Sequence, residues 1–190
     1  MHPFRSRLVP LSPALLVAAA NAFVGVSEQG GDNRGQMVEL FLRGVQLPPG
    51  QPWCAAFVHH VGYASHYDQL LRRSSWPLPA TGSCEALARA ARAARAAGAL
   101  REEPHVGDVF LLYSARQRRF VHTGIVVGVD GEEQVHARDV HTCVTVEGNT
   151  NADGSANGTT TLRKVRTFRE ADGHRFVRWT EMARVGVVAA

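Results

Sequence analysis

A cysteine that follows a loop with glycine and proline is the first residue of this chain with a clear chemical use. Cys54 comes after a Gly-Gln-Pro-Trp segment at 50–53 and opens the apolar run Ala-Ala-Phe-Val at 55–58. The pattern predicts a loop that leads into a helix, with the cysteine at its start. Free backbone amides and the dipole at a helix N-terminus stabilise a thiolate, and the same amides can bind an oxyanion. The residue is therefore either a nucleophile or a small buried side chain that opens a core helix.

A histidine near the start of a strongly apolar strand is the candidate base. His122 lies in the run Phe-Val-His-Thr-Gly-Ile-Val-Val-Gly at 120–128. A strand gives the imidazole a rigid support, and Gly124 permits another backbone to approach closely. The chain has nine histidines, so position alone does not separate a catalytic histidine from a structural one.

Two polar residues near a strand end are candidates for orienting this histidine. Glu147 and Asn149 are two positions apart, and alternation along a strand predicts that they point to the same face. On a strand beside His122, either side chain can accept the imidazole N–H and fix its tautomer. A nucleophile, a base and an orienting group are what acyl transfer requires. The alternative for Glu147 is a solvated charge at a strand edge.

The elements that must position these residues fall into a helical first half and a β-rich second half. Helical periodicity and capping signals predict helices at about Pro13–Glu28, Gly35–Arg43, Trp53–Ala64 and Cys84–Ala97. Runs of β-branched and aromatic residues predict strands at 108–113, 121–129, 134–140, 143–147, 159–165 and 175–180. Helices followed by hairpin-linked strands predict an α+β fold with an antiparallel sheet, in one domain of 190 residues.

Composition narrows the class of protein. Apolar and charged fractions of 45% and 20% are those of an ordinary globular domain, and no apolar run is long enough to span a bilayer. The formal net charge of +4 is compatible with an anionic partner (nucleic acid, acidic lipid or wall polymer) and equally with general solubility. Three cysteines, Cys54, Cys84 and Cys143, form neither a disulfide framework nor a paired zinc motif.

Two interpretations of the N-terminal segment stay open. Two arginines precede an apolar stretch that ends in Ala-Asn-Ala at 20–22, which is typical of a cleavable signal peptide. Against this, Pro10 and Pro13 interrupt the stretch, and Ser12 before Pro13 is typical of a helix start. The helical interpretation is favoured, so we do not expect a signal peptide.

In their order along the chain, these motifs resemble the CHAP family, the cysteine- and histidine-dependent amidohydrolases and peptidases of phage endolysins and bacterial cell-wall hydrolases. The ordered set is Pro-Trp-Cys-Ala-Ala-Phe-Val at 52–58, Gly-Asp at 107–108, His-Thr-Gly-Ile-Val-Val-Gly-Val at 122–129 and Glu-Gly-Asn-Thr-Asn at 147–151. The resemblance extends over about residues 14–179. It implies a papain-like fold, one catalytic domain with its core at about 13–180, and the catalytic residues Cys54, His122, Glu147 and Asn149.

The resemblance also implies the substrate. It would be bacterial peptidoglycan, cut between muramic acid and alanine (an N-acetylmuramoyl-L-alanine amidase) or inside the stem peptide or cross-bridge (an endopeptidase). Neither nucleic acid nor insertion into a membrane is expected, and no cofactor is implied. Some family members carry an acidic calcium loop before the cysteine, but residues 47–53 contain no carboxylate, so no metal is expected. A zinc site of Cys54 with His59 and His60 is the alternative.

Two tryptophans are candidate substrate-binding residues. Trp53 and Trp76 have rings that could line a groove for a sugar or peptide. Core packing is the alternative for both.

Two functions of other classes also stay open. One is a catalytically inactive wall-binding or phage-particle protein, and the other is an acyltransferase that passes the acyl group to an amine. We expect synthesis in the cytoplasm and action in the periplasm or cell wall, as for an antibacterial effector. No wall-binding module is evident, so delivery would depend on lysis, a holin or a secretion apparatus, and an immunity protein would protect the producing cell.

Overall fold

The computed structural model describes residues 10–94, 98–129, 140–152 and 157–183. The helices are α1 (Pro13–Ala22), α2 (Gln36–Gly44), α3 (Cys54–Ser65), α4 (Cys84–Ala93) and α5 (Trp179–Ala183). A short hairpin, β1 (Tyr67–Asp68) and β2 (Arg73–Ser74), lies between α3 and α4. The later strands are β3 (Leu100–Arg101), β4 (Val109–Ser114), β5 (Arg119–Val129), β6 (Val140–Thr150), β7 (Thr160–Arg169) and β8 (Arg175–Val177).

The later strands form one antiparallel sheet. Its order is β3-β8-β4-β5-β6-β7, and every neighbouring pair is antiparallel. The predicted α+β fold with an antiparallel sheet is therefore confirmed. Most of the strand predicted at 134–140 lies outside the described residues.

Helix starts follow the capping signals. The Ser12 hydroxyl accepts the N–H of Leu15 at 3.3 Å before α1, and the Ser83 hydroxyl accepts the N–H of Ala86 at 3.2 Å before α4. Such caps satisfy backbone donors that have no partner within the helix. In contrast, α3 begins at Cys54 with no side-chain cap. Its first amides are therefore not satisfied by a capping side chain.

The first helix is shorter than predicted. It ends at Ala22 rather than Glu28, because the segment after it runs beside the start of β7 instead of continuing the helix. This segment makes three backbone hydrogen bonds with β7 and the residue before it: Gly25 N–H to Thr161 O (2.9 Å), Thr161 N–H to Val26 O (2.7 Å) and Glu28 N–H to Thr159 O (2.8 Å). Long-range backbone hydrogen bonds thus replace the local helical ones.

Two further element boundaries differ from the prediction. The helix predicted to reach Ala97 ends at Ala93, and residues 95–97 lie outside the described part of the chain. The strand predicted at 175–180 ends at Val177, and α5 begins at Trp179. The indole N–H of Trp179 donates to the carbonyl of Gly107 at 2.8 Å, which holds the start of α5 beside β4.

Apolar clusters cover both faces of the sheet at its central strands. Alternate residues of β4 divide between two apolar clusters: Val109 and Leu111 belong to the main core with the helices, and Phe110 belongs to a second cluster. This second cluster consists of Phe110, Val126, Cys143, Phe168 and Phe176. The continuous apolar character of the strands reflects this two-sided burial. Within the described residues, no helix has the length and apolar character needed to cross a membrane.

Candidate active site

The start of α3 places Cys54 at a junction of loop, helix and sheet. The side chain is largely buried, with 5% of the residue exposed. A hydrogen bond with the Cys84 thiol, then interactions with His122 and the Ala55 N–H, hold the pKa of Cys54 well below its usual range, although burial opposes this. This shift favours the thiolate, which is the form of the sulfur that acts as a nucleophile.

Two contacts fix the chain just before the cysteine. The backbone N–H of Trp53 donates to the side-chain carbonyl of Asn149 at 3.3 Å, and its indole N–H donates to Glu28 at 3.0 Å. Trp53 itself is fully buried. These contacts hold the entry of α3 against β6 and the segment after α1.

His122 on β5 is held by Glu147 on the neighbouring strand β6. The distance from His122 Nε2 to Glu147 Oε2 is 2.9 Å. Since Nε2 is engaged there, Nδ1 is the ring nitrogen left for the interaction with Cys54. Burial works against the charged ring, but the interactions with Cys54 and Glu147 outweigh it and raise the pKa of His122 to about 9.

Glu147 is the fully buried anion of the site. Besides His122 it accepts hydrogen bonds from Arg166, from Thr145 at 2.6 Å and from Thr150 at 3.3 Å. Burial works against the charged carboxylate, but Arg166 and His122 outweigh it and lower its pKa to about 2. The alternative of a solvated charge at a strand edge is therefore wrong for Glu147.

Asn149 does not share the environment of Glu147, contrary to the same-face prediction. The β6–β7 register shifts between Glu147 and Thr150, and Asn149 has a positive φ of 56°. A bulge of this kind breaks the alternation that the prediction assumed. The Asn149 amide instead accepts from Trp53, as above, and donates to Asn33 at 3.0 Å and to the Gly158 carbonyl at 2.5 Å. It positions the entry of α3 rather than the imidazole.

Two residues of the site were missed by sequence reasoning. Arg166 on β7 pairs with Glu147, and its guanidinium lies 5.8 Å from the centre of the Phe110 ring. Cys84, the first residue of α4, brings its sulfur to 3.7 Å from the sulfur of Cys54. Both depend on contacts between distant elements, and no local motif marks either residue.

A cavity of about 400 Å³ opens beside Cys54 and His122. Its mixed polar and apolar lining comprises Pro52, Cys54, Leu112, Gln117, Arg119, Val121, His122, Asn149, Thr150 and Arg166. This volume is enough for a peptide-sized fragment beside the sulfur.

The two candidate substrate-binding tryptophans belong to the core. Trp53 is fully buried, and Trp76 is 7% exposed and packs against Trp179 with ring centres 4.7 Å apart. Neither lines the cavity at Cys54. The prediction of a groove lined by these rings is therefore corrected to its alternative, core packing.

The two neighbouring histidines on α3 have aromatic partners. His60 packs on Phe41 and Phe23 with ring centres 4.9 and 5.4 Å apart, and His59 lies 5.8 Å from Tyr63. In the described part of the chain, no group of three or more histidine, cysteine, aspartate or glutamate residues is placed to hold a metal ion. The zinc alternative with Cys54 therefore has no support there.

The site thus places a thiol with a lowered pKa, an imidazole with a raised pKa and a buried carboxylate beside an open cavity. This set can attack a carbonyl carbon, protonate a leaving group and activate water. Comparisons with protein-family models, curated proteins and solved structures returned no match for the chain.

Proposed function

We propose that this chain is a cysteine amidohydrolase that cleaves an amide bond in bacterial peptidoglycan, with Cys54 as nucleophile and His122 as acid and base. The observation that carries the reaction class is the buried Cys54–His122–Glu147 chain beside the cavity. The substrate class rests on the resemblance of the motifs to the CHAP family. The helix-borne cysteine packed on an antiparallel sheet also supports a papain-like arrangement.

In the proposed first step, the Cys54 thiolate attacks the amide carbonyl carbon. The oxyanion that forms lies near the start of α3, where uncapped amides and the helix dipole favour negative charge. His122 then gives its proton to the leaving amine, and the carbon–nitrogen bond breaks to leave an acyl-enzyme.

In the second step, the neutral ring of His122 accepts a proton from water. The hydroxide attacks the acyl-enzyme, and the carbon–sulfur bond breaks to regenerate the thiolate. Glu147 keeps the ring in one orientation and stabilises its charged form, while Arg166 holds Glu147 ionised. Arg166 and Asn149 are thus positioning residues.

Digestion of purified peptidoglycan, followed by mass spectrometry of the fragments, tests this function. Release of whole stem peptides would identify an amidase, and shortened peptides that stay on the glycan would identify an endopeptidase. We expect Cys54→Ala to reduce the initial rate of hydrolysis by at least about 10³-fold. Adding His122→Ala to this variant should reduce the rate little further, because the two residues act as a unit.

The folded state of each variant should be checked by circular dichroism. If folded Cys54→Ala digests peptidoglycan at the wild-type rate, Cys54 is not the nucleophile. If the wild-type protein leaves peptidoglycan intact but hydrolyses other acyl substrates through Cys54, the substrate class is wrong and the reaction class stands.

A further inference from the structure

Two of the three thiols meet at the converging starts of two helices. Cys54 opens α3, Cys84 opens α4, and both helices pack on β5. Their sulfur atoms are 3.7 Å apart, in van der Waals contact, and no disulfide is present. The hydrolytic mechanism does not use the Cys84 sulfur in any bond-forming step. Its contact with the nucleophile therefore calls for a separate account.

We propose that Cys54 and Cys84 are an oxidative modification site, in which a peroxide converts the two thiols to a reversible disulfide that blocks the nucleophile. The proposal concerns the thiol pair itself and does not depend on which amide bond, or which substrate, the protein cleaves.

The geometry requires little movement. A disulfide has a sulfur–sulfur distance near 2.05 Å, so the two sulfurs must approach by about 1.7 Å. Both cysteines are the first residues of their helices, where the backbone is less constrained by helical hydrogen bonds than in the interior. Side-chain rotation with a small shift of a helix end can supply this approach.

Access determines which thiol is oxidised first. Both residues are buried, with 5% of Cys54 and 6% of Cys84 exposed, but Cys54 lines the open cavity and Cys84 does not. The thiolate, rather than the thiol, reacts with peroxide. Its hydrogen bond to Cys54 and its burial both raise the pKa of Cys84, whereas the pKa of Cys54 is lowered, so Cys54 ionises more readily. Cys54 is therefore the attacking sulfur and Cys84 the resolving one.

The chemistry balances with hydrogen peroxide as the oxidant. The Cys54 thiolate attacks one peroxide oxygen, the oxygen–oxygen bond breaks, and the products are a sulfenic acid and hydroxide. The Cys84 sulfur then displaces the sulfenic hydroxyl, which leaves as water with the Cys84 proton. Together the two cysteines lose two electrons, and the peroxide is reduced to water. A dithiol reductant reverses the step by thiol–disulfide exchange.

Mass spectrometry of the whole protein tests the proposal. The reduced protein is treated with a small excess of hydrogen peroxide, its remaining thiols are alkylated, and it is digested with trypsin without reduction. Trypsin cleaves at Arg73, Arg89 and Arg138, so the three cysteines fall in three separate peptides. We expect alkylated thiols to fall from three to one per chain, a linked Cys54–Cys84 peptide, and full return of three thiols after dithiothreitol.

Two variants serve as matched controls. Cys143 lies in the second apolar cluster, so Cys143→Ala should still form the Cys54–Cys84 link. Cys84→Ser should instead accumulate sulfinic and sulfonic acid at Cys54, which dithiothreitol does not reverse. The masses of the wild-type protein decide the question even if Cys84→Ser does not fold.

Three results would overturn the proposal. They are over-oxidised Cys54 with Cys84 still alkylated in the wild-type protein, a link that involves Cys143 or a second chain, and no change in thiol count. None of these outcomes depends on peptidoglycan hydrolysis, so failure of the proposed function leaves this test intact. If hydrolysis is observed, its rate should fall with the disulfide fraction and recover with dithiothreitol.

Discussion

At the scale of single residues, a line of alternating charge determines the state of the site. Arg166 holds Glu147 ionised, Glu147 stabilises the imidazolium of His122, and His122 stabilises the thiolate of Cys54. Each group is buried enough for these charges to act strongly on one another. These interactions therefore favour the charged forms of Cys54 and His122 before any substrate is bound.

The pH dependence of hydrolysis should follow from this charge pair. With the pKa of Cys54 lowered and that of His122 raised to about 9, deprotonation of His122 sets the alkaline limit of the reactive pair. We expect kcat/KM on a soluble peptidoglycan fragment to fall on the alkaline side near pH 9. Glu147→Gln removes the negative charge beside the ring, so this alkaline limb should move to lower pH.

The control for this profile is Glu103→Gln, which removes an exposed carboxylate that does not line the cavity. It should leave the profile where it is in the wild-type protein. An alkaline limb that stays in place in Glu147→Gln would show that Glu147 does not set the ionisation of His122.

The sequence singled out Cys54, His122 and Glu147, which the structure brings together, because each lies in a local motif at an element boundary. It did not predict Arg166, because an arginine on a strand is usually solvated and its partner lies on another strand. Nor did it predict the contact of Cys84 with Cys54, since that depends on how two helices converge. Residues with local signals were found, and residues defined only by tertiary contact were not.

At the scale of elements, Asn149 connects the bulge of β6 to the entry of α3. Asn149→Ala removes an acceptor for the buried Trp53 N–H and two donated hydrogen bonds, so the free energy of unfolding should fall by about 1–3 kcal/mol. Urea unfolding measures this. Asn149→Gly tolerates the positive φ and removes the same amide, so it should be destabilised as well.

The neighbouring Asn151→Ala is the control, because the hydrogen bonds of Asn151 are exposed. It should cost less stability than either change at Asn149. If Asn149→Gly is as stable as the wild-type protein, the amide contacts contribute nothing to stability. The left-handed backbone alone would then explain why asparagine is present at this position.

Gly148 sets the distance between α3 and β6. A Cβ at this position would lie 2.6 Å from the Trp53 ring and 2.8 Å from Phe57, so Gly148→Ala must push α3 away from the sheet. We expect a loss of about 1–3 kcal/mol in unfolding free energy, as for overpacked cores. Gly128→Ala is the matched control, since its Cβ would meet Val144 at 3.4 Å. Equal stability of the two variants would contradict this account.

Element starts were more predictable than element ends. Caps and a proline predicted the start of α1, and Ser83 predicted the start of α4. The predicted end of α1 was wrong because the residues after Ala22 form hydrogen bonds with backbone groups at the start of β7. The same-face prediction for Asn149 was wrong because of the bulge in β6. Sequence patterns carry local preferences, whereas these corrections come from partners far along the chain.

At the scale of the whole molecule, buried histidines should limit stability in acid. Burial and the charge of His60 lower the pKa of His59 to about 4, and burial also lowers the pKa values of His60, His66 and His174. Unfolding releases these rings to their ordinary pKa of 6.5, so the unfolded chain binds more protons below that pH. Stability should therefore fall as pH drops below about 6.5.

The contribution of His122 to stability depends on pH in the opposite direction. Its raised pKa contributes stability that is complete below 6.5 and lost as pH rises through about 9. The histidine contributions together are therefore largest near pH 6.5, and the urea midpoint should be highest there. His59→Gln should flatten the acid side by at most about 1.4 kcal/mol per pH unit, reduced by the partial exposure of the ring. If stability falls below pH 6.5 with the same slope in His59→Gln as in the wild-type protein, His59 does not contribute to the loss of stability in acid.

The segment after α1 pairs with the start of β7, so an early part of the chain has no partner until a late part has been synthesised. Cys54, His122 and Glu147 emerge from the ribosome in that order. Trp53 and Asn149, which hold the entry of α3, lie 96 positions apart. A growing chain therefore has its cysteine long before it has the strands that ionise and shelter it. Such non-local closure slows folding. Hydrolytic competence should thus appear late, once β7 has left the exit tunnel, so that a truncated translation product carries the thiol without the activity.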